Sequence, residues 1–320
     1  MAVDLITLGE SLIDLPSTRS GVSLADAPGF AKVPAGAPAN VAVAAARLGL
    51  GAAFLSKVGD DSFGEAIVQT FGARGVDTSR VIKDPAARTG LAFVSIREDG
   101  ERDFLFYFDP ARDLALRPDE LDGEFLSSAR AFHYGSISLI AEPCRAATLT
   151  AARLARAGGA LISYDPNLRP RLWPDQETMR AQALAGFAEA DIAKVSREEL
   201  FFLAPDAADE TTAAGRLLEA YPRLQLLVVT DGANGSAGYV KGSRSVGHVP
   251  GFRVQAVDAT GAGDAFVAGL LAFLLRRGVE LTSEALAYAN ACGALAATEL
   301  GAGMQNLSES AVQNLLASAA

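Results

Sequence analysis

The sequence has few of the side chains that hold metal ions or form disulfides. Its 320 residues include only two cysteines, Cys144 and Cys292, and only two histidines, His133 and His248. Two cysteines cannot build a disulfide framework, and with so few histidines they do not predict a zinc site. Any chemistry is therefore expected to rely mainly on carboxylates, backbone amides and a few arginine or lysine side chains.

The sequence also lacks an excess of positive charge and long apolar runs. It has 28 lysines and arginines against 38 aspartates and glutamates, a net charge of −10. Surfaces that bind polyanions usually have the opposite sign, so we expect no nucleic-acid partner. The apolar run 265–275 is too short to span a bilayer, and no basic segment precedes an apolar run at the N-terminus. The sequence thus predicts a soluble, cytoplasmic protein with no membrane contact.

Three common motifs are missing. The absence of G-x-x-x-x-G-K-[ST] excludes a P-loop as the phosphate site. No G-x-G-x-x-G follows a strand, which disfavours a nicotinamide-dependent dehydrogenase. The run GSAG at 235–238 does not complete a nucleophile elbow, because Asn234 occupies the position of the first glycine.

Apolar runs typical of buried strands alternate with helical patterns along nearly the whole chain. The strand-like runs are 3–8, 52–58, 131–139, 160–164, 192–195 and 226–229. The helical patterns are 39–48, 63–74, 145–157, 180–190 and 213–221. Such alternation predicts an α/β fold in which helices cover both faces of a parallel sheet.

Two segments interrupt this alternation. Residues 90–108 have the pattern of a hairpin around an Asp99-Gly100 turn and are rich in aromatic side chains. Residues 15–33 are irregular and contain prolines and glycines. Such segments could form a two-part β flap over a cleft or a plain surface hairpin.

The richest candidate site is the sequence DATGAGD at 258–264, which directly precedes an apolar helix. Gly261 and Gly263 allow the backbone to come close to a ligand. The first amides of a helix lack internal acceptors and lie at its positive end, so they predict an anion site. Asp264 stands beside them, where a carboxylate could accept the proton of an attacking hydroxyl. The alternative is a tight turn in which Asp264 only caps the helix.

A second candidate site is AGAPAN at 35–40, at the start of a predicted helix. Gly36 permits close approach of a ligand, and Pro38 suits a first helical turn. The side-chain amide of Asn40 can both donate and accept hydrogen bonds, as a polyhydroxylated ligand requires. The alternative is an ordinary capped helix start.

Together these motifs resemble the two signatures of the ribokinase-like (PfkB) family of carbohydrate kinases. The first reads AGAPANVAVAAARLG at 35–49 and the second DATGAGDAFVAGL at 258–270. Further stretches are similar to the fructokinase branch and lie at 9–14, 57–64, 87–93, 132–140, 164–169 and 289–294. The resemblance extends from about residue 5 to about residue 305.

This resemblance implies a three-layer α/β/α ribokinase-like fold with a mostly parallel central sheet and a small β lid. It implies one domain over 1–320, with lid segments at about 15–35 and 88–112. It also implies an ATP-dependent sugar kinase that uses Mg²⁺ and K⁺ and converts D-fructose to fructose 6-phosphate. A homodimer through the lid is expected from the same resemblance.

Roles for individual residues are implied in the same way. Asp264 corresponds to the general base, and Gly261, Ala262 and Gly263 form the anion hole. The sugar positions are Asp14, Gly36, Asn40, Arg169 and Asp264. The nucleotide positions are Asn167, Lys194, Thr230, Gly232 and Asn290. Glu199 corresponds to the magnesium-side residue, although Ser196 stands where the family has asparagine, and the K⁺ positions are Asp258, Ala296, Glu299 and Gly301.

Alternatives remain for the substrate and the activity. The sequence YFDPARDL at 107–114 departs from the usual fructokinase lid pattern, which leaves the preferred sugar open. A 2-keto-3-deoxygluconate kinase is one alternative, since Arg169 could meet a carboxylate. A ribokinase-type kinase of another sugar is a second, and a non-catalytic sugar sensor is a third.

Overall fold

A computed structural model describes residues 3–97, 102–243 and 245–318 of the chain. The strands are β1 (Leu5–Leu8), β2 (Leu12–Pro16), β3 (Val33–Ala35), β4 (Ala52–Gly59), β5 (Asp77–Asp84), β6 (Gly90–Ile96), β7 (Arg102–Tyr107), β8 (Ala131–Gly135), β9 (Leu161–Asp165), β10 (Ile192–Ser196), β11 (Leu226–Thr230), β12 (Gly235–Val240) and β13 (Gly247–Pro250). The helices are α1 (Ala37–Arg47), α2 (Ser62–Ala73), α3 (Pro110–Asp113), α4 (Gly123–Ser127), α5 (Cys144–Ala157), α6 (Gln176–Gly186), α7 (Arg197–Leu203), α8 (Glu210–Ala220), α9 (Ala262–Arg277), α10 (Ser283–Ala296) and α11 (Glu309–Ser318).

The larger sheet has nine strands in the order β13-β12-β11-β10-β9-β8-β1-β4-β5. The strands from β11 to β5 are all parallel, and β12 and β13 continue the sheet as antiparallel strands at one edge. The mostly parallel sheet is therefore confirmed. The strands β5, β12 and β13 escape sequence-based prediction because they lack an apolar run: β5 is polar and half-exposed, and β12 contains two glycines and a serine.

Helices cover both faces of the larger sheet. In one core, which includes Leu5 of β1, the helices α1, α9 and α10 pack against the sheet. In the other, which includes the next residue, Ile6, the helices α5, α6 and α8 do so. Successive residues of a strand point to opposite faces, so these are two separate apolar layers. The predicted three-layer α/β/α arrangement is confirmed, and no helix in the described part of the chain is long and apolar enough to cross a bilayer.

One predicted strand is too long. The apolar run 131–139 forms β8 only as far as Gly135, and Ile137–Leu139 is a 3-10 turn. The chain turns out of the sheet at Ser136, whose amide donates to the carbonyl oxygen of Pro166 over 3.2 Å. Ile137 thereby reaches the wall of the cavity described below.

The smaller sheet has four strands in the order β3-β2-β6-β7. They come from the two segments predicted for the lid, although β2 begins at Leu12, before the expected boundary, and the predicted turn at 98–101 lies outside the described residues. In β7, Phe104 and Phe106 stack with their ring centroids 6.0 Å apart. The alternate side chains of Leu105 and Tyr107 are 47% and 62% exposed on the other face, and the homodimer expected through the lid stays a prediction.

A buried lysine ties three elements together at the β5 edge of the larger sheet. The side chain of Lys57 in β4 is 1% exposed. Its Nζ lies 3.2 Å from an Asp84 oxygen in β5 and 2.7 Å from Glu120 Oε1 in a short 3-10 turn. A buried ammonium group is tolerated only with such partners. This ion pair therefore fastens the edge of the sheet to the segment beside it.

We expect Lys57→Ala to lower the free energy of unfolding by about 3 kcal/mol, because it empties a buried space and strands two carboxylates. Urea denaturation measures the change. The matched control is Lys83→Ala, which removes an exposed ion pair with Glu65 in the same region and should change stability little. Equal losses of unfolding free energy in the two variants would show that the buried ion pair stabilises the fold no more than the exposed one.

Candidate active site

A cavity of about 560 Å³ lies between the larger sheet, the smaller sheet and the N-termini of α1 and α9. Several of its walls follow the carboxyl ends of parallel strands, where α/β proteins commonly bind ligands. The lining residues are Glu10, Leu12, Asp14, Ala35, Gly36, Ala37, Asn40, Ala92, Val94, Phe104, Phe106, Ile137, Asn167, Arg169, Leu172, Lys194, Ala259, Thr260, Gly261, Gly263 and Asp264. Both glycine-rich motifs therefore meet at one place.

The N-terminus of α9 forms one wall of this cavity. Gly261 precedes the helix with φ of 80°, and a Cβ there would lie 2.8 Å from Cβ of Ala302. The position therefore requires glycine. The amide of Ala262 donates to the carbonyl oxygen of Ala259 over 3.2 Å, whereas helix geometry gives Gly263 and Asp264 no intrahelical acceptor. The amides of those two residues are therefore available to the predicted anion hole, whereas that of Ala262 is already bonded.

Asp264 is a buried carboxylate in the first turn of α9, and it is 7% exposed. One oxygen accepts a hydrogen bond of 2.8 Å from Nδ2 of Asn40, and the other lies 3.5 Å from Nδ2 of Asn167. Burial raises the pKa of Asp264 to about 6, and the bond from Asn40 opposes that rise. At pH 7 the group is therefore mainly ionised, and its pKa lies close to the working pH. Both properties suit a proton acceptor.

The start of α1 fixes the asparagine that holds Asp264. Gly36 has φ of 140°, and a Cβ there would lie 2.3 Å from the carbonyl oxygen of Glu10. This close crossing requires glycine and places Asn40 in the first turn of α1, where it is 5% exposed. The Asn40–Asp264 hydrogen bond therefore joins the first turns of α1 and α9, which are far apart in sequence.

Glu10 is a buried carboxyl that was not predicted as a site residue. Its Oε1 accepts from the Ala37 amide over 3.1 Å, and Oε2 is buried with no hydrogen-bond partner among the described residues. Burial raises the pKa of Glu10 to about 7. Its place directly after β1, at the carboxyl edge of the sheet, is the signal that could have found it.

Asp14 and Arg169, two of the residues predicted to bind the sugar, both line the cavity. Burial raises the pKa of Asp14 to about 6, and the Arg169 guanidinium opposes that rise. The same guanidinium opposes the raised pKa values of Glu10 and Asp264. This part of the cavity therefore contains three carboxyl groups that all feel the charge of Arg169, and Lys194 acts on Asp264 as well.

Lys194 brings a positive charge beside the glycine turn. Its Nζ lies 3.0 Å from an Asp165 oxygen, and a Cβ on Gly263 would lie 3.4 Å from that Nζ. Burial lowers the pKa of Lys194, but Asp165 and Glu199 outweigh it and hold the pKa above its usual value. The ammonium group therefore stays charged next to the helix N-terminus.

Glu199 serves a structural purpose in this geometry. Its Oε1 accepts from the Leu168 amide over 2.7 Å and its Oε2 from the Ser196 amide over 2.8 Å. Glu199 thus holds the loop that carries Asn167 and Arg169 against the end of β10. Within residues 3–97, 102–243 and 245–318, no group of three or more His, Cys, Asp or Glu side chains is arranged to hold a metal ion.

The remaining predicted residues lie outside the cavity lining. Thr230 ends β11, and Gly232 begins a 3-10 turn with φ of 53°. Asn290 on α10 donates to the carbonyl oxygens of Val249 and Pro250, so its amide fastens β13 to the helix. Their role in binding the nucleotide stays a prediction.

The predicted K⁺ positions are close together beside the glycine turn. Asp258 accepts from the amide and hydroxyl of Thr260 at 3.0 and 2.8 Å, and from the Gly301 amide at 3.0 Å. Glu299 accepts from the Asn306 amide over 3.3 Å, and Ala296 ends α10. The structure therefore joins the 258 and 301 loops, with Asp258 organising both.

We expect Asp264→Asn to stabilise the protein at neutral pH. The folded-state pKa of about 6 exceeds the usual value of 3.8, so the folded chain keeps a proton that the unfolded chain loses, and stability falls as pH rises between those values. Removing the charge should raise the free energy of unfolding by about 2 kcal/mol at pH 7.5, and by much less at pH 4.5.

Urea denaturation at both pH values measures this difference. The control is Asp209→Asn, because Asp209 caps α8 and its pKa is lowered instead by the bonds from Thr212, so its loss should not stabilise the protein at pH 7.5. An Asp264→Asn variant that is no more stable than the wild type at pH 7.5 would contradict a burial penalty on this carboxylate.

Comparison with known proteins shows the family of the chain. The model of the pfkB family of carbohydrate kinases matches residues 3–309. The chain is 50% identical over 318 residues to a probable fructokinase-4 of Arabidopsis thaliana, which covers 98% of this chain and 96% of that protein. Such coverage at this identity shows common descent along the whole chain.

Solved structures give the same result. The fructokinase of Xylella fastidiosa with bound ATP superposes with a TM-score of 0.89 at 36% identity, over 100% of this chain and 99% of that one. A double mutant of the fructokinase of Vibrio cholerae, in a form with fructose, ADP and potassium ion bound, gives a TM-score of 0.82 at 33% identity over 98% and 99%. The chain therefore belongs to the pfkB family of carbohydrate kinases.

Proposed function

We propose that this kinase transfers the γ-phosphoryl group of ATP to the 6-hydroxyl of D-fructose, which gives fructose 6-phosphate and ADP. The observation that carries the proposal is the buried Asp264, held by Asn40 beside the N-terminus of α9 inside the cavity. The fructokinase names of its relatives support fructose as the sugar.

In this proposal Asp264 is the general base. It takes the proton of the sugar hydroxyl while the hydroxyl oxygen attacks the γ-phosphorus, and the bond to the ADP oxygen breaks. A positioned base typically contributes about 10²–10⁴ in rate. The bond from Asn40 keeps the acceptor oxygen in place, and the raised pKa makes it a better base than a solvated aspartate.

The charge that accumulates on the transferred phosphoryl group would meet the amides at the start of α9. Fixed donors of this kind contribute roughly 2.7–4 kcal/mol each in other enzymes. The ammonium group of Lys194, beside Gly263, adds a positive charge at the same point. The nucleotide would extend from there past Asn167 towards Thr230, Gly232 and Asn290.

Metal ions would act at the edge of this site. When bound with ATP, Mg²⁺ neutralises phosphate charge. Glu199 and Asp165 are the carboxylates near Lys194 that could hold its water ligands, although both oxygens of Glu199 already accept backbone amides. A K⁺ ion beside Asp258, Ala296, Glu299 and Gly301 would further stabilise the loop before Gly261.

The charge of the sugar side favours a neutral sugar over a keto acid. Glu10, Asp14 and Asp264 would repel a carboxylate substrate. The Arg169 guanidinium opposes the raised pKa of all three, and Lys194 opposes that of Asp264. Asp14 and Asn40 instead offer acceptors and a donor for hydroxyl groups. This balance makes 2-keto-3-deoxygluconate a poorer fit than fructose.

A substrate panel tests the proposal. Purified protein with Mg²⁺ and K⁺ is assayed for ADP release on fructose, ribose, tagatose and 2-keto-3-deoxygluconate. We expect the highest kcat/KM for fructose. A higher kcat/KM for the keto acid or for ribose would show that this compound, and not fructose, is the preferred substrate. Sugar binding in calorimetry without turnover on any of them would favour the sensor.

We expect Asp264→Asn to lower kcat by at least about 10² while the KM values for sugar and ATP change little. In the wild type, kcat/KM should fall as pH drops below about 6, because the base takes up a proton, and the residual activity of the variant should depend less on pH. Asp206→Asn, in an exposed loop, is the control. A variant that keeps its kcat would show that another group is the base.

A further inference from the structure

The aromatic wall of the cavity belongs to a strand at the edge of the smaller sheet. β7 pairs with β6 on one side only, and its Phe104 and Phe106 side chains line the cavity. An edge strand is held by one ladder of hydrogen bonds, so its position depends on whatever its free edge contacts.

Arg171 contacts that strand from the opposite side of the cavity mouth. Its Nη1 donates to the carbonyl oxygen of Phe104 over 2.9 Å. The guanidinium carbon lies 5.8 Å from the centroid of the Phe104 ring, within the range of a cation–π contact. One side chain therefore fixes both the backbone and the ring of the residue that covers the cavity.

The backbone of Arg171 belongs to a short hydrogen-bonded turn. It lies in a 3-10 turn, Pro170–Leu172, where the Leu172 amide donates to the carbonyl oxygen of Arg169 over 2.9 Å. The next residue, Trp173, is only 7% exposed. Arg169 and Leu172 line the cavity on either side of Arg171. The contact thus joins a turn in the wall of the cavity to the strand that covers the cavity.

We propose that Arg171 is a positioning residue for the sugar, which holds Phe104 over the cavity and so sets the closed position of β7. The inference rests on the proposed function, because the cavity is taken as the sugar site. An aromatic ring held in this way covers the apolar face of a sugar ring and keeps water from the phosphoryl group.

Arg171→Ala should therefore weaken sugar binding and closure together. A hydrogen bond from a charged donor is worth about tenfold in an equilibrium, so we expect KM for the sugar to rise by about that factor. KM for ATP should change less than about twofold, because Arg171 contacts the lid strand. ATP hydrolysis without sugar should rise relative to sugar phosphorylation, since water gains access.

Two further variants separate this role from a loss of charge or of folding. Arg171→Lys keeps a cation and a donor and should restore part of the sugar affinity. Arg216→Ala removes an exposed arginine on α8 and should leave both KM values unchanged. The single tryptophan, Trp173, reports through its emission whether the turn stays folded in each Arg171 variant.

A double-mutant cycle with Phe104→Ala tests whether Arg171 acts through that residue. If it does, the double variant should raise the sugar KM little more than the larger single effect. Fully additive effects, or an unchanged sugar KM in Arg171→Ala with normal Trp173 emission, would overturn the proposal.

Failure of the proposed function gives a different result. If the wild type phosphorylates another sugar, the same variants are compared on that sugar. If it turns over none, the kinase proposal fails, and weaker calorimetric binding of sugar by Arg171→Ala would still support the role of Arg171. A wild type that binds no sugar would overturn both.

Discussion

The site depends on one hydrogen bond between two helix N-termini. Asn40 of α1 and Asp264 of α9 are 224 residues apart in sequence, yet their side chains meet at 2.8 Å. Both helices belong to the same core and pack with small residues such as Ala42 and Ala268. Their positive ends converge on a buried carboxylate. The fold thus compensates the charge of Asp264 enough to keep it ionised near neutral pH, and desolvates it enough to make it basic.

Local groups also decide the charge at the end of the cavity near Lys194. The chain as a whole has a net charge of −10, so attraction of ATP would rely on local groups rather than on the overall charge. In the proposed mechanism it comes from oriented amides and from Lys194, whose charge is stabilised by Asp165 at 3.0 Å. Short-range dipoles and a buried pair can act inside an acidic protein because water and salt screen the outer charges.

The sequence predicts the central strands and both glycine turns well, because buried parallel strands are continuous apolar runs and only glycine fits positions such as Gly261. It cannot predict half-exposed edges such as β5, whose partner decides their structure. Glu10 was missed because its importance arises from contact with the start of α1. The resemblance supplied the roles of Asn290 and Glu199, which the geometry shows fastening backbone; their ligand roles stay predictions.

Glu199 also connects the loop of Arg169 to the end of β10. By holding the Leu168 and Ser196 amides together, it couples the loop of Arg169 to the strand that carries Lys194. We therefore expect a shift of β10 to move the loop of Arg169 with it. In the proposed reaction, Glu199 would in this way help to set the distance between the acceptor alcohol and the donor phosphate without contacting either.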